Sequence, residues 1–179
     1  MEIGQGLREK YVEHMEYCIG LAKKSMPKPN QGYTPKGYYI GKPYVGAIVL
    51  DKNGKIIGEG YKSFLGGTSL LQHAERMALD SFAVDGRAIT LISTLQPCLQ
   101  KSRKQLFEPC NNLIVKKGVK TVVFGVRDDV SFDSYAGINY LLSHGVEVVE
   151  LEEMQDKIKK ELMNVDVFQD RSKYEPQSW

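Results

Sequence analysis

The chain has 179 residues, 42% hydrophobic and 26% charged, with a formal net charge of +2. That length suits one domain whose core hides roughly 70% of the unfolded surface. The ordinary composition excludes a disordered or collagen-like chain, and the near-neutral balance gives no global polyelectrolyte signal for nucleic acid. No apolar run approaches the ~20 residues of a membrane span, and Met1-Glu2-Ile3-Gly4-Gln5-Gly6 lacks the apolar core of a signal peptide. A cytoplasmic location is therefore expected. Three cysteines are an odd count for a disulfide framework.

Leu7, Tyr11, Met15, Cys18, Ile19 and Ala22 recur at helical spacing and predict an amphipathic helix over residues 6–25, ended by Pro27 and Pro29. Cys18 lies on its apolar stripe and reads as a buried small hydrophobe. Residues 27–43 read as a loop. Val45–Leu50 and Lys55–Tyr61 read as two strands joined by a turn at Asp51-Lys52-Asn53-Gly54, with Asn-Gly supplying positive φ angles. Gly66-Gly67-Thr68-Ser69 is a break before a helix over 70–83. Ile89–Leu95, Thr121–Val126 and Val146–Leu151 read as further strands. Residues 110–117, 135–144 and 152–164 read as helices, and the tail 166–179 as loosely packed. This order predicts an α/β fold, a single three-layer α/β/α domain over residues 1–165. Its mixed five-stranded sheet is parallel in one half.

The chemistry concentrates in His73-Ala74-Glu75, Pro97-Cys98 and Pro109-Cys110. His73, Cys98 and Cys110 offer one imidazole and two thiolates, a zinc-ligand set that keeps a fourth position open for water. Zinc brings the pKa of such a water from 15.7 to about 7. Glu75, a carboxylate outside the ligand set, can carry protons between that water and a leaving amine. Strand ends and helix starts converge at the carboxyl edge of an α/β sheet, which suits this grouping. Each piece alone is commonplace: His-x-Glu occurs by chance, and a Pro-Cys pair is more often a turn or core cysteine. The joint order and spacing carry the argument. His14 and His144 have no such partners.

With those residues in view, the sequence resembles the cytidine-deaminase superfamily, whose pattern is His-x-Glu, Pro-Cys and a second Cys. The likeness extends to Pro43–Val49, Ile57–Tyr61, His73–Leu79, Leu95–Cys98, Gly118–Gly125, Gly137-Ile138 and Gly145–Val148. Within the superfamily it looks most like the deaminase domain of the bifunctional riboflavin-biosynthesis enzyme, over roughly residues 7–160. The resemblance implies a Zn2+ cofactor on His73, Cys98 and Cys110, with Glu75 as the proton carrier. It also implies that Ala74 and the Pro97-Cys98 turn border the substrate ring. The implied reaction replaces a ring amino group by a keto group and releases ammonia. The implied substrate is a nucleotide or a riboflavin-pathway aminopyrimidine, and the implied assembly is a homo-oligomer such as a dimer.

The chain departs from that branch in several places. Lys42-Pro43 stands where the branch usually has Asn-Pro, and Gln96 where it has Glu. The loop between the two cysteines is enlarged to eleven residues, Leu99 to Pro109. The reductase domain that often follows is not expected here. Lys101, Arg103 and Lys104 in the enlarged loop are candidates for gripping a substrate phosphate, with Lys42 and Lys62 as further candidates; a solvated loop is the plainer reading. Tyr33, Tyr38, Tyr39 and Tyr44 could stack on a base, although packing is the commoner role. Two other functions stay open. One is deamination of a base in tRNA or single-stranded nucleic acid, which the near-neutral charge disfavours. The other is a zinc-stabilised partner subunit without catalysis, which should lack a ligand or the glutamate.

Overall fold

The computed structural model of the chain describes residues 3–27, 40–68, 70–81, 89–99, 107–128 and 134–165. Helix α1 (Gln5–Ala22) is followed by strands β1 (Gly46–Leu50) and β2 (Ile56–Tyr61). Their turn is held by Asp51, whose carboxylate accepts the N–H groups of Asn53 and Lys55, and by Gly54 at φ +79°. The order continues as β3 (Ser63–Phe64), β4 (Leu71–Gln72), α2 (Ala74–Asp80), β5 (Thr90–Leu95), α3 (Cys110–Lys116), β6 (Thr121–Val126), α4 (Ser134–Ser143), β7 (Glu147–Glu150) and α5 (Gln155–Ile158).

The main sheet has the order β2-β1-β5-β6-β7. β1 runs antiparallel to both neighbours, while β5, β6 and β7 are parallel. The mixed five-stranded α/β sheet expected from the sequence is therefore present. Side chains alternate across it, as strand geometry requires. Ile48, Ile92 and Val123 face one layer with Tyr11, Met15, Cys18 and Ile19 of α1 and with Met154, Ile158 and Leu162. Val49, Leu91, Val122 and Phe124 face the other layer with Ala74, Ala78 and Leu79 of α2, Leu113 and Ile114 of α3 and Leu141 of α4. On that second face α2 lies close against β2. Gly58 and Gly60 permit this, because a Cβ at either would run into the backbone of Ala78 or Ala74.

Two elements differ from the sequence expectation. No helix begins at residue 70. Leu71 and Gln72 form β4, which pairs with β3 as a separate two-stranded ladder, and α2 starts at Ala74. Backbone pairing of Leu65 with Leu70 captures the apolar residues that read as a first helical turn. Residues 152–164 do not form one regular helix. A tight turn at Glu152–Met154 leads into α5, and a widened turn over Lys159–Met163 closes it. Buried Met154, Ile158 and Leu162 recur every fourth residue, slightly beyond the α-helical 3.6, so a wider last turn keeps Leu162 on the core face. Among the described residues, no helix is long and apolar enough to cross a membrane. The tail 166–179 and most of the loop 27–43 lie outside the described residues.

Candidate metal centre and active site

The site forms at the carboxyl edge of the parallel half of the sheet. β5 ends at Leu95, and Gln96 continues its pairing by donating its N–H to Val126 O at 2.8 Å. The chain then turns through buried Pro97 to Cys98. Cys110 opens α3, and its N–H donates to Cys98 Sγ at 3.4 Å. The Asn111 N–H donates to Cys98 O at 3.1 Å, fixing the turn against the helix. His73 sits in extended backbone immediately before α2, and its carbonyl accepts the Met77 N–H. Three separate elements thus deliver one donor each.

The donor atoms converge. His73 Nδ1 lies 3.6 Å from Cys98 Sγ and 3.5 Å from Cys110 Sγ. The three ligand atoms all lie within 4.8 Å of one another. A tetrahedral zinc with ~2.3 Å bonds to sulfur and ~2.05 Å to nitrogen would set each sulfur about 3.6 Å from the nitrogen. The measured spacings match that figure, so the donor set fits zinc in both chemistry and reach.

The electrostatics agree. Burial opposes protonation of His73, yet its hydrogen bond with Cys98 and the charges of Glu75 and Cys98 outweigh burial and raise its pKa. The hydrogen bond from Cys110, reinforced by His73, lowers the Cys98 thiol to about 4. The bond to Cys98 and complete burial raise Cys110. The two thiols are thus pushed apart, Cys98 towards the thiolate and Cys110 towards the thiol. A divalent cation bound there would displace the ligand protons.

Glu75, in the first turn of α2, is 3% exposed. Burial pushes its carboxyl up to about 7; the charges of Cys98 and Asp128 add to the rise and His73 opposes it. A carboxyl poised near neutrality is suited to giving and taking protons. Ala74, fully buried, presses its backbone against Gly60, and Pro97 supports Cys98.

The basic candidates separate. Lys62 is held at the site margin: its Nζ donates to Gly41 O at 2.9 Å and to Pro43 O at 3.1 Å. Burial lowers its pKa and the Glu75 charge works the other way, which places the two groups within electrostatic reach. Its ammonium thus staples residues 41–43. Lys42 Nζ donates instead to Val165 O at 3.0 Å. Lys101, Arg103 and Lys104, and with them Tyr33, Tyr38 and Tyr39, lie outside the described residues. Tyr44 is a core residue, 2% exposed and packed with the α1 layer. His144 folds back on its own helix, its Nδ1–H donating to Tyr140 O at 2.7 Å.

Sequence reasoning missed two buried polar residues beside the ligands. Asn111 is fully buried and donates Nδ2–H to Gly137 O at 3.1 Å, tying α3 to α4. Arg76, 8% exposed, follows Glu75 on α2. The available signal was a charged residue within an otherwise apolar run, Arg76-Met77-Ala78-Leu79.

An α/β sheet with one imidazole, two thiols and a buried carboxylate at its carboxyl edge has the make-up of a candidate mononuclear metal centre. Residues 8–126 match the family model of the cytidine and deoxycytidylate deaminase zinc-binding region. The chain belongs to that family. It is 35% identical over 142 residues to the riboflavin biosynthesis protein RibD of Aquifex aeolicus, covering 79% of this chain and 35% of that protein. It is also similar to a Thermotoga maritima diaminohydroxyphosphoribosylaminopyrimidine deaminase/5-amino-6-(5-phosphoribosylamino)uracil reductase structure, with TM-score 0.64 and 36% identity over 87% of this chain and 40% of that one. The dCMP deaminase of cyanophage S-TIM5 has TM-score 0.53 and 25% identity, over 83% of this chain and 100% of that one. The chain spans about a third of the length of the curated relatives it matches.

Proposed function

We propose that this chain is a zinc-dependent hydrolytic deaminase of a small aminopyrimidine. His73, Cys98 and Cys110 hold the metal and Glu75 moves the protons. The observation that carries this reading is the pair of nitrogen–sulfur spacings, 3.6 and 3.5 Å, beside a buried carboxylate. Zinc bound there supplies a Lewis acid that brings water into the acidity range of neutral pH. Glu75 takes a proton from the attacking water and delivers it to the ring nitrogen as a carbon–oxygen bond forms at the amino-bearing carbon. It then passes the second proton to the exocyclic nitrogen. The carbon–nitrogen bond breaks, ammonia leaves and the ring keeps a keto oxygen. Domain bounds of 1–165 with a tail at 166–179 fit this reading, since every group named lies within the first span.

The preferred substrate is the phosphoribosylamino-substituted diaminohydroxypyrimidine named for the Thermotoga relative. The support is the 36% identity to that structure and the 35% identity to the Aquifex protein. A second reading, a deoxycytidylate-type nucleotide, is favoured by the S-TIM5 enzyme, which this chain matches along its whole length. Ammonia release from zinc-quantified protein, measured on both compounds and on a single-stranded oligonucleotide, separates the readings. Turnover of the diaminopyrimidine is expected. Glu75→Gln should lower kcat by about 10²–10⁴-fold with zinc still bound at one per chain. Unchanged turnover in that variant would reject the role of Glu75, and zinc binding without turnover of any compound would point to the non-catalytic partner.

A further inference from the structure

We propose that Arg76 is a positioning residue for the metal centre. It clamps the end of the enlarged inter-cysteine loop onto α2 so that Cys110 meets His73. The inference deepens the reading of His73, Cys98 and Cys110 as the ligand set. The difficulty it resolves is geometric. Cys110 lies 37 residues from His73 along the chain, and 12 from Cys98, yet its sulfur must sit within bonding range of one metal. Eleven intervening residues, Leu99 to Pro109, leave the approach to Cys110 with many conformations unless something fixes it.

Arg76 meets that end of the loop from two directions. Its Nη2 donates to the backbone carbonyl of Glu108 at 3.2 Å. Its guanidinium carbon lies 4.8 Å from the centre of the Phe107 ring, in the cation–π range. Asp80, one turn further along α2, stands 3.6 Å from Nη1 and orients the group. On the far side, the Glu108 carboxylate takes Lys116 Nζ of α3 at 2.6 Å. The Pro109 carbonyl caps α3 by accepting the Asn112 and Leu113 N–H groups. Residues 107–109 are therefore bound to α2 through Arg76 and to α3 through Glu108 and Pro109, and Cys110 is the next residue. The helix that carries His73 and Glu75 thereby sets the position of the third ligand.

A rigid, planar, permanently charged fork is needed for this double contact. Lysine keeps the charge but loses both the stacking plane and the forked geometry. The main bond is to the Glu108 backbone carbonyl, and the Glu108 carboxylate stands further off, 3.9 Å from Nη2. A purely structural arginine would act only through global stability.

The test is zinc affinity of the purified full chain, by chelator competition without substrate, together with the visible spectrum of the cobalt-substituted protein. Arg76→Met should weaken zinc about 10–100-fold, the usual range for groups that orient ligands, and should alter the cobalt–thiolate bands. Arg76→Lys should recover part of the loss, and Phe107→Leu should weaken zinc about threefold. Met15→Ala, in the opposite layer, serves as the control for lost stability alone. Parent-like affinity and spectrum in Arg76→Met, or a loss no larger than in Met15→Ala, would overturn the proposal. Should Arg76→Met not fold, Phe107→Leu decides: weakened zinc supports the clamp and parent-like zinc rejects it. None of these readouts uses turnover, so a failed clamp and a failed deaminase assignment are distinguishable.

Discussion

The two faces of the sheet make an instructive contrast. The layer formed with α1 buries Met15, Cys18 and Ile19 against Ile48, Ile92 and Val123, an apolar interior. The layer formed with α2 and α3 uses the same kind of strand residues but also buries Glu75, Arg76 and Asn111. Cysteine shows the difference most clearly. Cys18, fully buried in the first layer, has its thiol raised by burial and a weak contact to Ile92 O. Cys98 and Cys110 instead face the His73 imidazole at 3.6 and 3.5 Å, and the Cys98 thiol is lowered. The same side chain is filler on one face and a candidate ligand on the other. Neighbours decide which, through the charge each environment favours.

Gly60→Ala should breach this division most severely. A methyl there meets the Ala74 backbone, so α2 must lift and carry His73 and Glu75 with it. Thermal stability and zinc content should both fall, and parent-like values for both would show that α2 can shift without consequence. Cys110→Ser comes next and is confined to one face. Zinc should weaken more than ~100-fold by chelator competition, beyond the range for outer-shell groups, while the fold is retained by circular dichroism. Met15→Ala is the counterpart in the apolar layer. It should cost about 2–5 kcal/mol in denaturant unfolding, with one zinc still bound per chain. Loss of zinc in that variant would mean that the two layers are not energetically separate.

The smallest effect concerns the rim of the apolar layer, where Arg8 of α1 donates to both Glu153 oxygens at 2.7 and 2.6 Å. Arg8 holds the Glu153 carboxyl below its ordinary value. A carboxyl lowered on folding stabilises above its ordinary pKa, and that contribution is lost as pH falls through the lowered one. Both side chains are 39% exposed, so the contribution is small. Glu153→Gln should lower the Tm by about 1–2 °C at pH 7 and leave it unchanged near pH 2.

Much of this was legible in the sequence because it rests on local pattern. Thr121–Val126 is a strand with those limits, since Thr121-Val122-Val123-Phe124 is a run of β-branched and aromatic residues. His73, Cys98, Cys110 and Glu75 were readable because the donors are chemically distinctive and sit at element boundaries. The fates of Lys42 and Lys62 were not readable. A lysine near a site suggests an anion, but here the acceptors are carbonyls of Val165, Gly41 and Pro43, and that choice depends on which backbone passes nearby. Arg76 was overlooked for the same reason. Its partners, Phe107 and Glu108, lie some 30 residues away in a loop without periodicity. The helix expected at residue 70 failed because a two-residue ladder leaves no distinct pattern.

The seclusion of Cys18 gives the chain a built-in reporter. Its thiol is 0% exposed and resists ionisation, and so does that of Cys110, whereas Cys98 is partly exposed with a lowered pKa, so alkylating reagents act on the folded protein first at Cys98. Metal on the Cys98 sulfur would shield it. A simple count of modified thiols, with and without chelator, then reads site occupancy directly: none when loaded, one when stripped, and three only after unfolding.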